Sequence, residues 1–587
     1  MCGIFGYIGK RKNSLGLVVE GLKKLEYRGY DSWGVATDLN QALFIKKQVG
    51  KISEVSLEAF DDKESYLAIG HTRWATHGRV TEVNSHPHFS RDKKVVVVHN
   101  GIIENYEEIR KELGETNFIS ETDTEVIPQL ISQYLKQMPF KEAVLKAVKH
   151  LHGRYAIAVM VVGEPYIIGA RRGSPLIVGV GEGEYFLASD IPAFLEHTQN
   201  VNYLDDGEMV ILDGTKEFIN IETGEMVEKR LINIDWQAES TEKGEYDHYM
   251  LKEIMEQKDT ILRAINQNEE EIMKIAETIR NARGTFLSGC GTAGKVCMAG
   301  EYFFSMIAKR HVNFAPASEF PVYHHFLQPE SLLIVVSQSG ETADVLEAME
   351  AAKSKGSKVL SIVNTEGSTI ARESDYSLQI KAGPEKAVAS TKVATSQMAL
   401  FLLIAYAMKG ELQEGRRILA ETASQVNDML NPRFLTYIKE VAKEIKDQEN
   451  AYIIGKAENY PMALEAAIKI QEVSYVHAEG FAAGELKHGP LALITEGTPC
   501  IAIVANDEVK KDILNNTQEL KARGAHIIGI SPEKHPVFDE WIKVPDAGTA
   551  SPLVNIIPIQ LLAYYLGVMR GVNPDMPRNL AKSVTVK

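Results

Sequence analysis

Between residues 284 and 531, three short apolar runs each occur twice, at a nearly constant separation of about 166 to 168 residues. GTFLSG (284–289) is matched by AYIIG (451–455), LLIVVS (332–337) by PCIAIVA (499–505), and SKVLSIVN (357–364) by AHIIGIS (525–531). A short, continuously apolar run that leads into a helical pattern reads as a strand buried on both faces. Its recurrence at one offset reads as a duplicated unit. Parallel strands need helical crossovers, so this half of the chain is expected to hold two α/β domains with parallel sheets.

The first part of the chain has a different texture. Runs such as YLAIG (66–70), VVVVH (95–99), YAIAVMVV (155–162) and EMVILDG (208–214) are short, β-branched and interrupted by glycine. That density of strands and turns predicts a sheet-rich α+β domain of packed sheets over 1–223. A polar stretch, 224–245, reads as a linker. The first α/β domain is expected at 246–420, opening with helical patterning to about Arg283. The second follows at 421–575, and 576–587 is an aperiodic tail. Three domains and a tail suit 587 residues at roughly 150 per domain.

Lys and Arg total 64 against 79 Asp and Glu, a net charge of −15, which argues against a partner that is nucleic acid. An anionic ligand must be held by dipoles and a few placed cations. The four cysteines, Cys2, Cys290, Cys297 and Cys500, are too scattered for a disulfide framework or a paired-cysteine zinc site. No metal or cofactor is expected, and a reducing cytoplasm is. The longest apolar run found, Met398 to Met408, is shorter than the ~20 residues of a membrane span. The N-terminal MCGIFGYIGKRK lacks the apolar core of a secretory signal, so no membrane partner is expected.

Cys2 stands between the initiator methionine and a small glycine, a context that suits methionine removal. Removal would leave its thiol beside a free α-amine, a usable base with a pKa of about 7.7–8. An inert cysteine near a frayed terminus is the alternative. Three polar segments at strand ends favour chemistry: GHTRWATHG (70–78), VVHNGIIENY (97–106) and SETDTEV (120–126). The Asn100 side chain and the Gly101 N–H are the donor types an oxyanion hole needs. Arg73 and Asp123 suit the carboxylate and ammonium of an amino-acid substrate, although each would also serve as a structural ion-pair partner.

MCGI, EYRGYDSWGVA, HTRWATHG, HNGIIEN and SETDTEV together resemble the class II (N-terminal nucleophile) glutamine amidotransferases, over essentially all of 1–223. The resemblance implies Cys2 as nucleophile, its own amine as base, and Asn100 with Gly101 as the oxyanion hole. It implies Arg73, Thr76, His77 and Asp123 as glutamine-binding positions and Trp74 as the gate for ammonia. Trp33 departs from the alanine usual after EYRGYDS in that family.

Several enzymes share such a glutaminase, so the acceptor domains decide the function. The Ser-Gly-Gly loop of asparagine synthetase, the phosphoribosyl loop of the purine-pathway amidotransferase and the cluster cysteines of glutamate synthase are not found. SGCGTAG (288–294) places Gly289, Gly291 and Gly294 at dinucleotide-fingerprint spacing, with Glu319 further on; close strand–helix packing would need the same glycines. SQSGETADV (337–345) favours another ligand. Its Ser337, Gln338, Ser339 and Thr342, at a strand-to-helix turn, form a phosphate cradle without net positive charge, or else a serine-rich helix cap. VASTKVATSQ (388–397) supplies a second such turn. With the duplicated α/β units these loops resemble the sugar isomerase (SIS) phosphosugar-binding domains, whose ligands bind at the carboxyl ends of the strands.

In the second repeat, Glu465, Lys469 and Glu472 fall at i, i+4 and i+7 on one helical face, as catalytic groups or as a solvated charged stripe. His488 in GELKHGPLAL suits sugar-ring opening. Lys582 in PRNLAKSVTV, among small and apolar neighbours, suits imine chemistry. CGT, SQSGET, VAST, ALEAAIKIQE, GELKHGPLAL and PRNLAKSVTV resemble the isomerising glutamine–fructose-6-phosphate aminotransferases, and with the glutaminase the likeness covers nearly the whole chain.

That resemblance implies L-glutamine and fructose 6-phosphate as substrates, an internal ammonia channel, and isomerisation to glucosamine 6-phosphate. Glu472 would move the C1/C2 proton, His488 open the ring from a neighbouring subunit of a homodimer, Lys582 form the ketose imine and Lys469 assist at the enediol. Thr292, Ser337, Gln338, Ser339, Thr342, Val388, Ser390 and Ala581 match its sugar-phosphate positions. Ala293 stands where that family usually has a phosphate-binding serine. The loss of one hydroxyl at a charged group, worth roughly 1.5–3 kcal/mol, leaves open a different ketose phosphate as acceptor. A non-catalytic phosphosugar sensor is the remaining alternative, and it would have no need of Cys2 or Lys582.

Overall fold

The computed structural model describes residues 2–114, 118–234 and 243–585. The chain divides into two compact units, Met1–Ser240 with Ala581–Lys587, and Thr241–Leu580.

In the N-terminal unit an eight-stranded and a six-stranded antiparallel sheet stack face to face. Strand β1 (Gly3–Gly9) is followed by α1 (Ser14–Lys24), β2 (Ser32–Leu39) and β3 (Leu67–Arg73), and β4 (Val95–Ile103) belongs to the second sheet. Side-chain alternation explains the layers. Ile4 and Ile8 of β1 point between the sheets, against Val96 and Val98 of β4. Phe5 and Tyr7 point the other way, onto Val18 and Leu22 of α1. The outer face of β4 carries Val95 and Val97, which are covered by the helices Val126–Leu135 and Phe140–His150. The expected packed-sheet α+β fold is thus a helix–sheet–sheet–helix stack. The register Gly3↔Thr72 sets the residue before β1, Cys2, beside Arg73 at the end of β3.

The expected linker is partly folded into this unit. Ile232–Asn233 pairs with Asn200 and Val201, and Lys229 forms ion pairs with Asp205 and Glu208 at 2.6 and 2.7 Å. These polar residues finish a sheet edge, which is why composition alone read them as a connector. Residues 235–242 of that stretch lie outside the described residues. The final segment of the expected tail, Ala581–Lys587, also groups with this unit.

The C-terminal unit opens with three helices, Tyr249–Met255, Gln257–Ile265 and Glu269–Asn281, over the stretch where helical patterning to about Arg283 was expected. Asn268 restarts the third by accepting the Glu271 N–H on its side chain. The first repeat runs β5 (Gly284–Gly289), α2 (Gly291–Met306), β6 (Asn313–Pro316), β7 (Ser331–Ser337), α3 (Ala343–Lys353), β8 (Lys358–Val363) and β9 (Tyr376–Gln379), and then α4 (Lys392–Lys409). The second runs β10 (Asn450–Gly455), α5 (Tyr460–Ser474), β11 (His477–Ala482), β12 (Pro499–Ile503), β13 (His526–Ser531), β14 (Glu540–Lys543) and α6 (Ser551–Met569).

Both sheets are wholly parallel and have the same order, β6-β5-β7-β8-β9 and β11-β10-β12-β13-β14. The duplication legible in the sequence is therefore a duplication of topology. In each sheet the chain reverses its direction of winding at the first strand, which opens a crevice between the first and third strands at their carboxyl ends.

One apolar core joins the repeats, from Leu287 and Ile334 to Ile453 and Ile501 by way of α4 and α6. Among the described residues Gly548–Met569 is long and apolar enough to cross a membrane, and 83% of it is buried inside the unit. Met398–Met408 is the longest unbroken apolar run, and this helix reaches membrane-spanning length only with polar interruptions. Pro552, Asn555, Pro558 and Gln560 punctuate this helix, Asn555 donating to Asn459 at 2.9 Å and Gln560 Oε1 accepting from Gln257 at 2.8 Å.

Candidate active sites

Cys2 sits at the mouth of β1, in a cleft enclosing about 270 Å³ and lined by Arg73, Trp74, Thr76, His77, His86, His99, Gly101, Thr122, Asp123 and Thr124. Six residues expected from the motifs, Arg73, Trp74, Thr76, His77, Gly101 and Asp123, are thereby brought to one nucleophile. The Trp74 N–H donates to Cys2 Sγ at 3.3 Å, and the thiol lies 3.4 Å from the Trp74 carbonyl oxygen. Burial pushes the Cys2 thiol up, while the Trp74 N–H and the Arg73 guanidinium pull the other way.

The recognition groups are fixed from behind. Arg73 donates to the Arg79 carbonyl at 3.1 Å and to the carbonyls of His77 and Gly78, which ties the HTRWATHG loop around its own guanidinium. Asp123 accepts the Ile103 N–H at 2.8 Å, which docks the SETDTEV turn on the end of β4. Asn100 reaches the nucleophile directly, its Nδ2 donating to the Cys2 carbonyl at 3.0 Å and to Ser189 Oγ at 2.8 Å. Gly101 has φ +128°, and a Cβ there would lie 2.0 Å from the Arg154 carbonyl oxygen, so the backbone that offers its N–H requires glycine.

The EYRGYDS motif supplies the frame rather than the chemistry. Arg28 donates to the Cys2 carbonyl at 3.4 Å and pairs with Asp190 at 2.9 Å, and Asp31 accepts the Ala75 N–H at 2.8 Å. Trp33 points into the core with Phe5, Leu22 and Val35, so the departure from alanine there alters packing and not the cleft. Under the cleft lie four buried imidazoles, His71, His86, His88 and His99. Burial holds all four below the ordinary histidine range, His71 at about 3.

The second cluster belongs to the C-terminal unit. Two segments leave the carboxyl ends of adjacent strands, Cys290–Ala293, the cap and first turn of α2 after β5, and the loop Gln338–Thr342 after β7. They are linked where the Cys290 thiol donates to Asp344 at 3.8 Å, in the first turn of α3. Ser337 Oγ accepts the Gly340 N–H at 3.0 Å and lies 3.1 Å from Thr342 Oγ1, which curls the loop over the helix N-terminus. Gly289 and Gly294 approach each other closely, a Cβ on Gly294 reaching within 3.0 Å of the Gly289 carbonyl. Two of the three fingerprint-like glycines, Gly289 and Gly294, are thus accounted for by strand–helix packing, and Gly291 by its φ of +53°.

Thr292 Oγ1 donates to Glu465 Oε1 at 3.0 Å, which brings the first repeat's loop onto α5 of the second. Along α5, Lys469 Nζ lies 3.6 Å from Glu465 and 2.5 Å from Glu472. The i, i+4, i+7 face is therefore not a solvated stripe: Glu465 and Lys469 are each 1% exposed, and Glu472 is partly exposed at 25%. Burial pushes Glu465 up to about 7 despite Lys469, and its Oε2 has no hydrogen-bond partner. Burial works against the Lys469 charge, but Glu472 and Glu465 outweigh it and hold the ammonium above the usual lysine range. Val388 and Ser390 begin the turn whose Thr391 and Val393 N–H groups donate to Glu385 at 2.9 and 3.1 Å, and the Glu385 charge acts on Lys469.

His488 closes a short helical turn, Ala483–His488, and is exposed. Ala581 and Lys582 group with the other compact unit. The helical spacing puts Glu465 on the candidate face, but its contact with Thr292, 173 residues away, is not legible in the sequence.

Comparison with known proteins gives consistent matches. A family model described as SIS domain matches residues 278–407 and 444–568, and one described as glutamine amidotransferase domain matches 71–196. Relatives from Pyrococcus horikoshii and Thermococcus kodakarensis, each named glutamine–fructose-6-phosphate aminotransferase [isomerizing], are 45% and 44% identical with 100% of both chains covered. A solved C-terminal domain of glucosamine-fructose-6-phosphate aminotransferase from Francisella tularensis is 33% identical with a TM-score of 0.53, over 57% of this chain and 100% of that one.

Proposed function

The chain belongs to the glutamine–fructose-6-phosphate aminotransferase family, and on that premise we propose that it moves the amide nitrogen of L-glutamine to fructose 6-phosphate and isomerises the product to glucosamine 6-phosphate, releasing glutamate. The observation that carries this reading is the cleft at Cys2, where the glutamine-recognition residues converge on one thiol.

In the first half-reaction Cys2 attacks the glutamine carboxamide carbon. The α-amine freed by methionine removal takes the thiol proton and returns it to the departing ammonia. Asn100 Nδ2 and the Gly101 N–H receive the oxyanion, Arg73 the substrate carboxylate and Asp123 its ammonium, with Thr76 and His77 completing the pocket. Water then hydrolyses the thioester to glutamate. Trp74, whose N–H already meets Cys2 Sγ, gates the ammonia.

In the second half-reaction the phosphate sits among Ser337, Gln338, Ser339 and Thr342 at the α3 N-terminus, with Thr292, Val388, Ser390 and Ala581 on the sugar. His488 opens the ring, Lys582 forms the imine with the ketose carbonyl, and ammonia displaces that lysine. Glu472 carries the proton between C1 and C2, and the Lys469 charge stabilises the enediolate. The exposure of His488 on a single chain supports a homodimer in which it serves the neighbouring site. The four free thiols support a reducing cytoplasm. Ala293 offers no hydroxyl at the start of α2, and this favours assaying other ketose phosphates beside fructose 6-phosphate.

The Cys2→Ala protein is expected to lose glutamine-dependent synthesis and to keep synthesis from added ammonia; unchanged use of glutamine overturns the nucleophile. Lys582→Ala is expected to hydrolyse glutamine without forming amino sugar, and normal product formation removes the imine role.

A further inference from the structure

The orientation of a carboxamide is ambiguous until its partners are counted, and at Asn100 those partners lead to a residue that no step above uses. His71, fully buried on β3, places Nε2 at 3.0 Å from the His99 carbonyl oxygen and at 3.0 Å from Asn100 Oδ1. A backbone carbonyl only accepts, so Nε2 must carry the proton. With Nε2 protonated, the atom of Asn100 that faces it must be the oxygen. The amide nitrogen is then turned to the opposite side, where the Cys2 carbonyl and Ser189 Oγ receive it. One carbonyl thus fixes a tautomer, and the tautomer fixes which end of the amide meets the nucleophile.

The imidazole itself is held in place. His86 stacks on it with ring centroids 4.1 Å apart and planes 13° from parallel. His86 Nδ1 accepts the His99 N–H at 3.2 Å, so the same residue of β4 anchors both rings, one through its carbonyl and one through its amide. His71 Nδ1 is buried and has no hydrogen-bond partner. An apolar side chain would fill that volume without the unpaired nitrogen, so what distinguishes histidine here is the single donor at Nε2.

We propose that His71 is a positioning residue for glutamine hydrolysis, its Nε2–H holding the Asn100 carboxamide so that Nδ2 and not Oδ1 is on the side of Cys2, where one of its two N–H groups turns from the Cys2 carbonyl or Ser189 to the oxyanion. This rests on the functional reading above, in which Asn100 supplies that donor. His71 touches no substrate; it acts through Asn100.

The test compares two near-isosteres, His71→Gln, whose amide nitrogen reaches the Nε2 position, and His71→Met, which has no donor there. The steady-state kcat and KM for glutamine hydrolysis are read for each, alone and combined with Asn100→Ala. Loss of one oxyanion donor costs about 100- to 1,000-fold in kcat. Because the amide can still populate its productive orientation part of the time, His71→Met is expected to lose about 10- to 100-fold in kcat with KM within about threefold. His71→Gln is expected to remain within about fivefold of the wild type, since it restores the donor. In the Asn100→Ala background the Met substitution is expected to add less than about threefold, the non-additivity of two residues acting as one unit.

Equal loss in the Gln and Met proteins, multiplying effects in the double variant, or a change in KM alone overturns the proposal. Should the Met protein fail to fold, the Gln protein decides, and a loss beyond about 100-fold there overturns it. A wild-type protein that does not hydrolyse glutamine at all removes the functional reading and this inference together. An active wild type with indistinguishable Gln and Met variants removes the inference alone.

Discussion

At Gly101 the sequence names a residue and the fold explains why it can be no other. Its φ of +128° and the Arg154 carbonyl 2.0 Å from a notional Cβ leave no room for a side chain. Gly101→Ala is therefore expected to displace the N–H proposed for the oxyanion hole, lowering kcat for glutamine by about 100-fold or more while the sheets persist. Wild-type turnover by a folded Ala variant would contradict that. The cleft residues were legible because each chemical type stands in a short polar motif at a strand end. Arg28, Ser189 and His71 were not, because their value comes from partners such as Asp190, Asn100 and His99 that are remote in sequence. Glu465 shows the same limit: periodicity placed it on a face, but only burial, against the opposing Lys469 charge and Thr292 hydrogen bond, pushes the carboxyl up to about 7. Glu465→Gln, which keeps the Thr292 contact and removes the charge, is expected to shift the pH profile of sugar turnover, and an unchanged profile would mean that this titration has no part in the reaction.

Among the elements, the parallel strands were the easiest to anticipate, since strands covered on both faces are apolar without alternation. The short strand Ile232–Asn233 was hidden because two residues carry no periodicity, and the polar side chains around it bond back to the unit. The breaks between the three opening helices, at Glu256 and Asn266, could not be placed from the sequence because the helical patterning continues across them. Strand β2 holds the clearest energetic departure. Trp33 is 1% exposed and its Nε1 has no partner, so the ring contributes through packing alone. Trp33→Ala is expected to destabilise the N-terminal unit by about 3–5 kcal/mol, visible as a lower melting temperature with the KM for glutamine unchanged. A smaller cost, below about 1 kcal/mol, would show that the site collapses around the deletion.

Across the whole molecule, the two repeats share strand order but not chemistry. Where the first offers Gln338 to Thr342 after its third strand, the second offers Asn506, Asp507 and Glu508. Glu458, on the loop after β10, is raised by burial and by the neighbouring charges of Asp507 and Glu508, so an anion there meets carboxylates. One phosphosugar per chain is the expected calorimetric stoichiometry, and two equivalent sites would contradict it. The offset in the sequence announced the duplication, and only the residues at the loop tips show that the second copy has carboxylates where the first has a hydroxyl-rich turn. The buried imidazoles give the molecule a further property. From pH 6.5 down to about 3 the unfolded chain takes up protons that the folded N-terminal unit refuses, so acid weakens that unit by up to about 1.4 kcal/mol per pH unit for each such histidine. Glu465 works in the opposite sense: between its ordinary 4.5 and about 7 the folded C-terminal unit holds a proton that the unfolded chain releases, and acid strengthens it. Scanning calorimetry at falling pH is expected to lower the melting of the N-terminal unit while the C-terminal unit holds or gains, and parallel shifts would contradict it. Mild acidification thus sets the two units against each other in stability, and the supply of nitrogen fails before the scaffold that consumes it.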